Sequence, residues 1–298
     1  MRQNETARRQ RNWDLRAAGN FIGGGSGTAL IIAAALWTLL PDAAPGVPWL
    51  PVLAGMGFVM LGLSLVWLEI GKPWRAFNVF FHPQTSWMTR EGFVAAPLLA
   101  AAAAAAWFQS RPLLWLAALL AAGFLYCQAR ILKASKAIPA WSHPRTVPLI
   151  IATALAEGSG LVLLLGAAGV RSMVALALLA AIAREALREH YRRGLVQAGA
   201  PEGTLAWFTH PATHVLQVTR AIAALLLLAA LLGAGGTLWP LLAALGGALS
   251  ALGGWGLKVI LVTRAAFTRG LRIPFTPARG RGPTAAVLPL GGARQGRR

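Results

Sequence analysis

The residues best suited to chemistry lie in one connection between two apolar runs of membrane length. It extends from Glu69 to Glu91 and contains two carboxylates, three cations, one histidine, two tryptophans and two prolines. Because proline interrupts helices, this polar and aromatic segment is predicted to lie at a membrane surface between two spans. A carboxylate at each end can exchange protons, although an ordinary basic interfacial loop is the alternative interpretation.

Several polar residues are predicted to lie at the same depth as this loop. A quinone site needs an apolar cleft for the isoprenoid tail, hydrogen-bonding groups for two ring oxygens, and a carboxylate or histidine that passes protons. We therefore predict a quinone site in this inner layer, with Glu91 and Glu69 as the proton-handling residues. The other candidate ligands are Asn20, Arg75, His82, Tyr126, Gln128 and Lys258.

Two ionisable residues fall inside predicted spans. Glu157 lies about ten residues into its span, ~15 Å deep, where an ionised carboxylate is costly, so it is expected to face the bundle interior. It acts there either as a proton relay or as a neutral carboxyl that is hydrogen-bonded to a neighbouring helix. Lys258 lies near the inner end of the last span and is expected to extend its ammonium to the surface rather than to pair with Glu157.

The composition is that of a polytopic helical membrane protein. Of the 298 residues, 56% are hydrophobic and only 12% are charged, which excludes an ordinary soluble domain. The net charge of +19 does not indicate nucleic-acid binding, because the cations are confined to a few connections and the two tails. The single cysteine, Cys127, cannot hold an iron–sulfur cluster or form an internal disulfide, so a redox centre of that kind must belong to another subunit.

The apolar runs predict an all-α transmembrane domain over residues 21–262, preceded by a basic arm (1–20) and followed by a basic, disordered tail (263–298). The sixth span is the least regular, because its apolar part ends near Ala183 and its charged inner end, Arg184 to Arg193, is expected to project beyond the bilayer. We predict eight spans, at 21–40, 50–70, 92–109, 112–132, 147–168, 172–190, 219–239 and 241–262.

The distribution of cations predicts the orientation. All of the 28 lysines and arginines except Arg111, Arg171 and Lys258 lie in the two tails or in alternate connections. Cytoplasmic segments are rich in Lys and Arg, so both termini and the Glu69–Glu91 loop are predicted to be cytoplasmic. This alternation also favours an even number of spans.

Small residues at four-residue spacing predict where helices pack most closely. One ridge contains Gly19, Gly23 and Gly27, and another contains Gly246, Ser250 and Gly254. Such ridges allow two helix backbones to approach one another in lipid.

Two segments resemble motifs of a known family. Glu69-Ile-Gly-Lys-Pro-Trp-Arg-Ala-Phe-Asn78 and Thr85-Ser-Trp-Met-Thr-Arg-Glu91 look like the Gly-x-Pro-x-Arg-Ala and Ser-x-Glu signature of membrane anchor subunits in the DMSO reductase and polysulfide reductase group. The stretch Ala137-Ile-Pro-Ala-Trp-Ser-His-Pro-Arg-Thr-Val-Pro148 is similar to the Val-Pro-x-Trp and Thr-Pro motif after their fourth span. The resemblance covers most of residues 20–270 and includes the eight-span plan.

The resemblance implies a quinone-reactive anchor in a bacterial inner membrane. Such an anchor exchanges electrons between menaquinone or ubiquinone and an iron–sulfur subunit, which serves a molybdopterin catalytic subunit. It implies no haem or iron–sulfur cluster in this chain, and it places the acidic quinone residue at Glu91. Glu69 departs from the pattern, because the DMSO reductase type has histidine there.

The predicted sidedness is a second departure. The equivalent loop faces outward in the best-known members, whereas the cations here place it in the cytoplasm. A cytoplasmic docking face suits a substrate held inside the cell, so within the group the phenylacetyl-CoA:acceptor oxidoreductase type is favoured.

Two other classes remain as alternatives. A haem-containing membrane cytochrome needs paired histidines within the bilayer, but all five histidines are predicted in loops or at helix ends, where His210 and His214 are expected to be satisfied interfacial residues. A secondary transporter fits eight spans and a buried Glu157, but no repeated pair of polar helix breaks is present.

Overall fold

The computed structural model describes residues 7–40, 46–69, 80–233 and 236–270, together with the backbone of two short strands beyond them. Residues 70–79, which include Arg75 and most of the first motif, lie outside the described residues. The helices are α1 (Leu15–Trp37), α2 (Trp49–Glu69), α3 (Trp87–Phe108), α4 (Arg111–Ala134), α5 (Pro139–Ser142), α6 (Thr146–Leu164), α7 (Arg171–Gln197), α8 (Glu202–Ala206), α9 (Pro211–Leu232) and α10 (Trp239–Val259).

This architecture confirms an all-α polytopic membrane protein. Seven described helices are long and apolar enough to cross a membrane, with α10 continued by a π-helical turn, Ile260–Arg264. The sequence predicts eight spans, one more than the number of described helices that are long and apolar enough. The predicted span without such a helix corresponds to α7, whose second half is too strongly charged.

Helix α7 nevertheless runs the full length of the bundle. At its start, the guanidinium of Arg171 donates to the carbonyl of Leu231 at the end of α9, 3.2 Å away. Near its end, the carbonyl of His190 accepts from Arg145, which precedes α6, at 2.7 Å. A helix of 27 residues is about 40 Å long, which is enough to connect the two faces of the bundle. Arg184, the first residue of the charged half, is fully buried, and projection of this half beyond the bilayer stays a prediction.

The two ends of the helical domain lie on the same face. The backbone N–H of Gln10 donates to the carbonyl of Ala266, and that of Thr268 donates to the carbonyl of Arg8, both at 2.9 Å. Ends on one face require an even number of passes through the bundle, and α7 is the eighth long helix among the described residues. Which side of the membrane this face occupies stays a prediction.

The same contacts correct the predicted start of the C-terminal tail. Residues 263–268 are not a disordered continuation, because they complete the π-helical turn and pair with the N-terminal arm. Further along the tail, β1 (Phe275–Thr276) pairs antiparallel with β2 (Leu288–Pro289).

The helices divide into a central and a peripheral set. Of the 18 most apolar consecutive residues in each helix, 78% are buried in α1 and 72% in α6, but only 28% in α2 and 22% in α9. Apolar side chains left exposed on spanning helices face lipid rather than water. Helices α1 and α6 therefore form the centre of the bundle, and α2 and α9 lie on its lipid-facing edges.

The small-residue ridges pack as the sequence predicts. Gly23 on α1 lies against the backbone of α2 at Phe58 and Gly62, and Gly246 on α10 lies against the carbonyl of Ala223 on α9. Side chains at these glycines would hold the helix pairs apart.

The predicted seventh span begins too late. The sequence predicts this span at 219–239, but α9 starts at Pro211. Proline is favoured at a first helical position, and His210 caps the N-terminus of α9 by accepting from the N–H of Ala212. Arg220 therefore lies in the third turn of α9 and not at its start. It is 2% exposed.

Candidate functional site

A cleft of 360 Å³ opens between α2 and α3 on the lipid-facing edge of the bundle. Among the described residues, Glu91, in the first turns of α3, is the only ionisable one that lines it. The side chain of Ser86 caps α3 by accepting from the N–H of Thr89, which fixes where the helix begins and hence where Glu91 lies. The apolar wall includes Val66, Trp67, Met88, Ala95, Ala96 and Leu99.

A second cleft, of 160 Å³, adjoins the first towards α1. The two share Val66 and Met88, and the second contains Asn20 and Glu69. Glu91 and Glu69 therefore lie on opposite sides of an apolar partition, which is formed by Val66 of α2 and Met88 of α3. The predicted grouping of Asn20, Glu69 and Glu91 is present in the fold.

Gln128 on α4 connects the two clefts from behind. Its side-chain amide nitrogen donates to the backbone carbonyl of Asn20 at 3.0 Å and, more weakly, to Oε1 of Glu91 at 3.4 Å. Glu91 is 5% exposed, so its carboxylate reaches the cleft from a buried position. Gln128 itself lines neither cleft. Asn20 lines the second cleft, and no donor among the described residues reaches its side-chain oxygen, so this buried acceptor favours a ligand donor.

Lys258 does not reach the surface, so that expectation is wrong. Its ammonium donates to Oε2 of Glu157 at 2.6 Å, and both side chains are fully buried. Ser26 on α1 donates to the same oxygen at 2.7 Å, and Trp255 donates to the Ser26 hydroxyl at 2.8 Å. The buried pair forms because an ionised group in the low-dielectric interior is stabilised most by an opposite charge in contact.

The buried pair lies close to Gln128. A Cβ atom placed on Gly25 of α1 would touch the ammonium of Lys258 and would lie 3.5 Å from the side-chain oxygen of Gln128. The glycine at this position therefore leaves room for the two polar groups to approach one another beside α1. The arrangement places Glu157 and Lys258 behind the cleft and not in its wall.

Two predicted ligands lie away from the cleft. Tyr126 is 41% exposed, packs edge-on against Trp87, and accepts from Arg130 through its hydroxyl. His82 is exposed in the segment before α3. Neither lines the two clefts.

Some residues of the site could not be found from the sequence. Ser26 lies in a glycine-rich run that indicates packing, and Trp255 looks like any apolar residue of a span. Both matter only because α1, α6 and α10 meet around Glu157. Met88 and Val66 give no chemical signal, although they form the partition between the clefts.

No family model matches the sequence, and no curated protein matches it. Among the described residues, no three His, Cys, Asp or Glu side chains converge as a metal site would require.

Proposed function

We propose that this chain is the quinone-reactive membrane anchor subunit of a molybdopterin iron–sulfur oxidoreductase. The observation that carries the proposal is the buried carboxylate of Glu91 in the wall of an apolar cleft between two helices at the edge of the bundle. A quinone has a long apolar tail and diffuses within the bilayer, so a site open to lipid with one proton-accepting group suits it.

The cleft residues have distinct roles in this proposal. The tail lies along the apolar wall of α2 and α3, and one ring hydroxyl of the quinol donates to Glu91. The Gln128 amide orients the carboxylate from behind, because it donates to Oε1 of Glu91. Oxidation of the quinol releases two protons with its two electrons. Glu91 takes the first, passes it on and then takes the second, and Glu69, which lines the adjoining cleft, passes both to water; reduction of the quinone runs the same steps in reverse.

The electrons are exchanged with a partner subunit. A quinol and its quinone differ by two electrons, and the sequence motifs resemble those of anchors that exchange electrons with an iron–sulfur subunit, which in turn serves a molybdenum centre. That partner docks on the face where α2 ends and α3 begins, which the cation distribution predicts to be cytoplasmic. The phenylacetyl-CoA:acceptor oxidoreductase type and a bacterial inner membrane remain the proposed setting.

Replacement of Glu91 by Gln tests the proposal. The amide retains a hydrogen bond but cannot accept the proton, so quinol-coupled turnover of the assembled complex should fall by ~10²–10⁴. Activity with an artificial dye that reacts with the partner subunits should be unchanged. Glu202→Gln, at an exposed carboxylate on α8, is the matched control. Unchanged quinol turnover in the Glu91→Gln complex would remove Glu91 from the site, and equal loss with both donors would indicate an assembly defect.

A cleft-filling variant tests the tail-binding wall separately. Ala96 is exposed on α3 and lines the cleft, so Ala96→Phe should raise the KM for quinol. Ala103 is exposed two turns further along the same helix and does not line the cleft. Ala103→Phe should therefore leave the KM unchanged.

The buried Lys258–Glu157 pair favours one second candidate, an ion-coupled secondary transporter. Transporters place paired charges near the bilayer midplane, where they bind coupling ions. Purification from the native membrane distinguishes the two functions, because a transporter is recovered alone and an anchor is recovered with iron–sulfur and molybdenum subunits.

A further inference from the structure

Three arginines surround one carboxylate between α7 and α9, away from the quinone cleft. Glu185 accepts from Arg220 at 2.6 Å and from Arg184 at 3.3 Å through Oε1, and from Arg188 at 2.8 Å through Oε2. Arg184 also donates to the carbonyl of Ser250 on α10 at 2.7 Å. The arginine cluster, defined as Arg184, Arg188 and Arg220, thus holds three α-helices together at one point.

The charge of this cluster is not balanced by the carboxylates of the described residues. One carboxylate faces three guanidinium groups, so the group carries a net charge of about +2, since arginine stays protonated. The nearest other carboxylates are already paired, because Glu157 accepts from Lys258 and Glu189 accepts from the exposed residues Arg192 and Arg193. Residues 271–298 contain no Asp or Glu, so no acidic side chain of the tail can supply the missing charge.

Each arginine also has an unused donor. No acceptor among the described residues reaches Nη2 of Arg184, Nη1 of Arg188 or Nη2 of Arg220, although all three atoms are buried. Arg184 and Arg220 are 0% and 2% exposed. A buried charged donor without an acceptor is costly, so three of them around one point indicate an anionic ligand with several oxygen atoms.

An apolar crevice leads away from the cluster. Arg188 and Arg220 lie at one end of it, and the hydroxyl-bearing residues Thr204 and Thr213 are also in its wall. The rest of the lining is largely apolar and includes Leu149, Trp207, Phe208, Leu216, Leu257 and Leu261. An anionic group at the arginines with a hydrocarbon chain in the crevice would match both parts of this surface.

We propose that the arginine cluster binds the phosphate of an anionic phospholipid, one acyl chain of which lies in the adjoining crevice. The guanidinium fork matches phosphate geometry, and basic pockets between spanning helices bind anionic headgroups. The crevice makes a lipid a better occupant than free phosphate, because inorganic phosphate would leave the apolar wall uncovered. The site is open to the surface of the bundle at Glu185, whose side chain is 35% exposed.

Native mass spectrometry of the full chain in detergent tests the site. Phosphatidylglycerol and phosphatidylcholine with identical acyl chains are titrated separately, and the first should bind at least tenfold more tightly to one site. Arg188→Gln should lower that affinity about tenfold, because a charge-assisted bond to phosphate is lost while Glu185 keeps two arginine partners. Arg192→Gln, one turn along α7 at an exposed arginine, should have no effect.

Three outcomes would overturn the proposal. These are equal binding of the two lipids, unchanged affinity in Arg188→Gln, and displacement of phosphatidylglycerol by inorganic phosphate at an equal concentration. The last would indicate a site for soluble phosphate instead. If Arg188→Gln does not fold, the comparison of the two lipids and the phosphate competition on the unaltered chain still decide the matter.

Discussion

The ammonium nitrogen of Lys258 lies 2.6 Å from Oε2 of Glu157, and neither side chain is exposed. This contact joins α10 to α6, and the hydroxyl of Ser26 connects both to α1. One carboxylate oxygen thus connects three helices, α1, α6 and α10.

Replacement of one partner of this ion pair should lower the free energy of unfolding far more than replacement of both. Lys258→Met leaves Glu157 buried without its counter-ion and should lower the free energy of unfolding by about 3–5 kcal/mol. The double variant Lys258→Met, Glu157→Gln should recover most of that loss, because no isolated charge remains. Thermal unfolding in one detergent measures all three variants together with Glu157→Gln. A double variant no more stable than Lys258→Met would contradict a direct ion pair.

Glu185 and Glu189 provide a comparison on a single helix. Glu185 is the only carboxylate in contact with the arginine cluster among the described residues, so Glu185→Gln should destabilise the fold by about 3–5 kcal/mol. Glu189 pairs with two arginines at the surface, so Glu189→Gln should cost less than about 1 kcal/mol. Similar unfolding temperatures for the two variants would show that the cluster does not need its carboxylate.

The path of α7 can be tested by sandwich insertions in the full chain. Reporter domains inserted after Gly169 and after Gly199, the residues that bracket α7, should report opposite sides of the membrane. Fusions at residues 1 and 298 should both report the cytoplasm, as the cation distribution predicts. Insertions at 169 and 199 that report the same side would mean that α7 does not cross.

The titration of His143 should make the stability of the folded chain depend on pH. It lies at the end of the short helix α5, outside the spans, where burial and then the neighbouring Arg145 lower its pKa below the ordinary value of 6.5. The folded chain therefore favours the neutral imidazole, and between the two pKa values the unfolded chain binds more protons. Stability should thus be fully present above about pH 6.5 and fall as the pH drops through the folded pKa.

His143→Asn should reduce that acid sensitivity. The Asn oxygen can accept the N–H of Arg145, as Nδ1 of His143 does at 3.2 Å. His214→Asn, at an exposed histidine, is the control. An identical pH profile of unfolding temperature in the His143→Asn variant and the unaltered chain would exclude His143 as the cause.

Much of the fold followed from the sequence alone. Seven of the predicted spans begin or end within a few residues of the observed helices, because an apolar run of about 20 residues is a local property that neighbouring helices do not alter. Helix α9 was misplaced since its first two turns are polar, and its start depends on the His210–Pro211 cap rather than on apolarity.

The candidate site was predictable only in part. Glu91, Glu69 and Asn20 share a pair of adjoining clefts as expected, because membrane depth follows from position along a span. Tyr126 has a similar depth but faces outward on α4, and depth alone gives no information about the direction in which a side chain points.

The sequence by itself determined the class of protein, the approximate spans and the asymmetry of charge, since each is a sum over residues along the chain. Only the tertiary structure decided which charges meet. Lys258 and Glu157 are 101 residues apart, and Glu185 and Arg220 are 35 apart. Their contact depends on how each helix is rotated about its axis and which helices are neighbours, and close packing of the whole bundle fixes both.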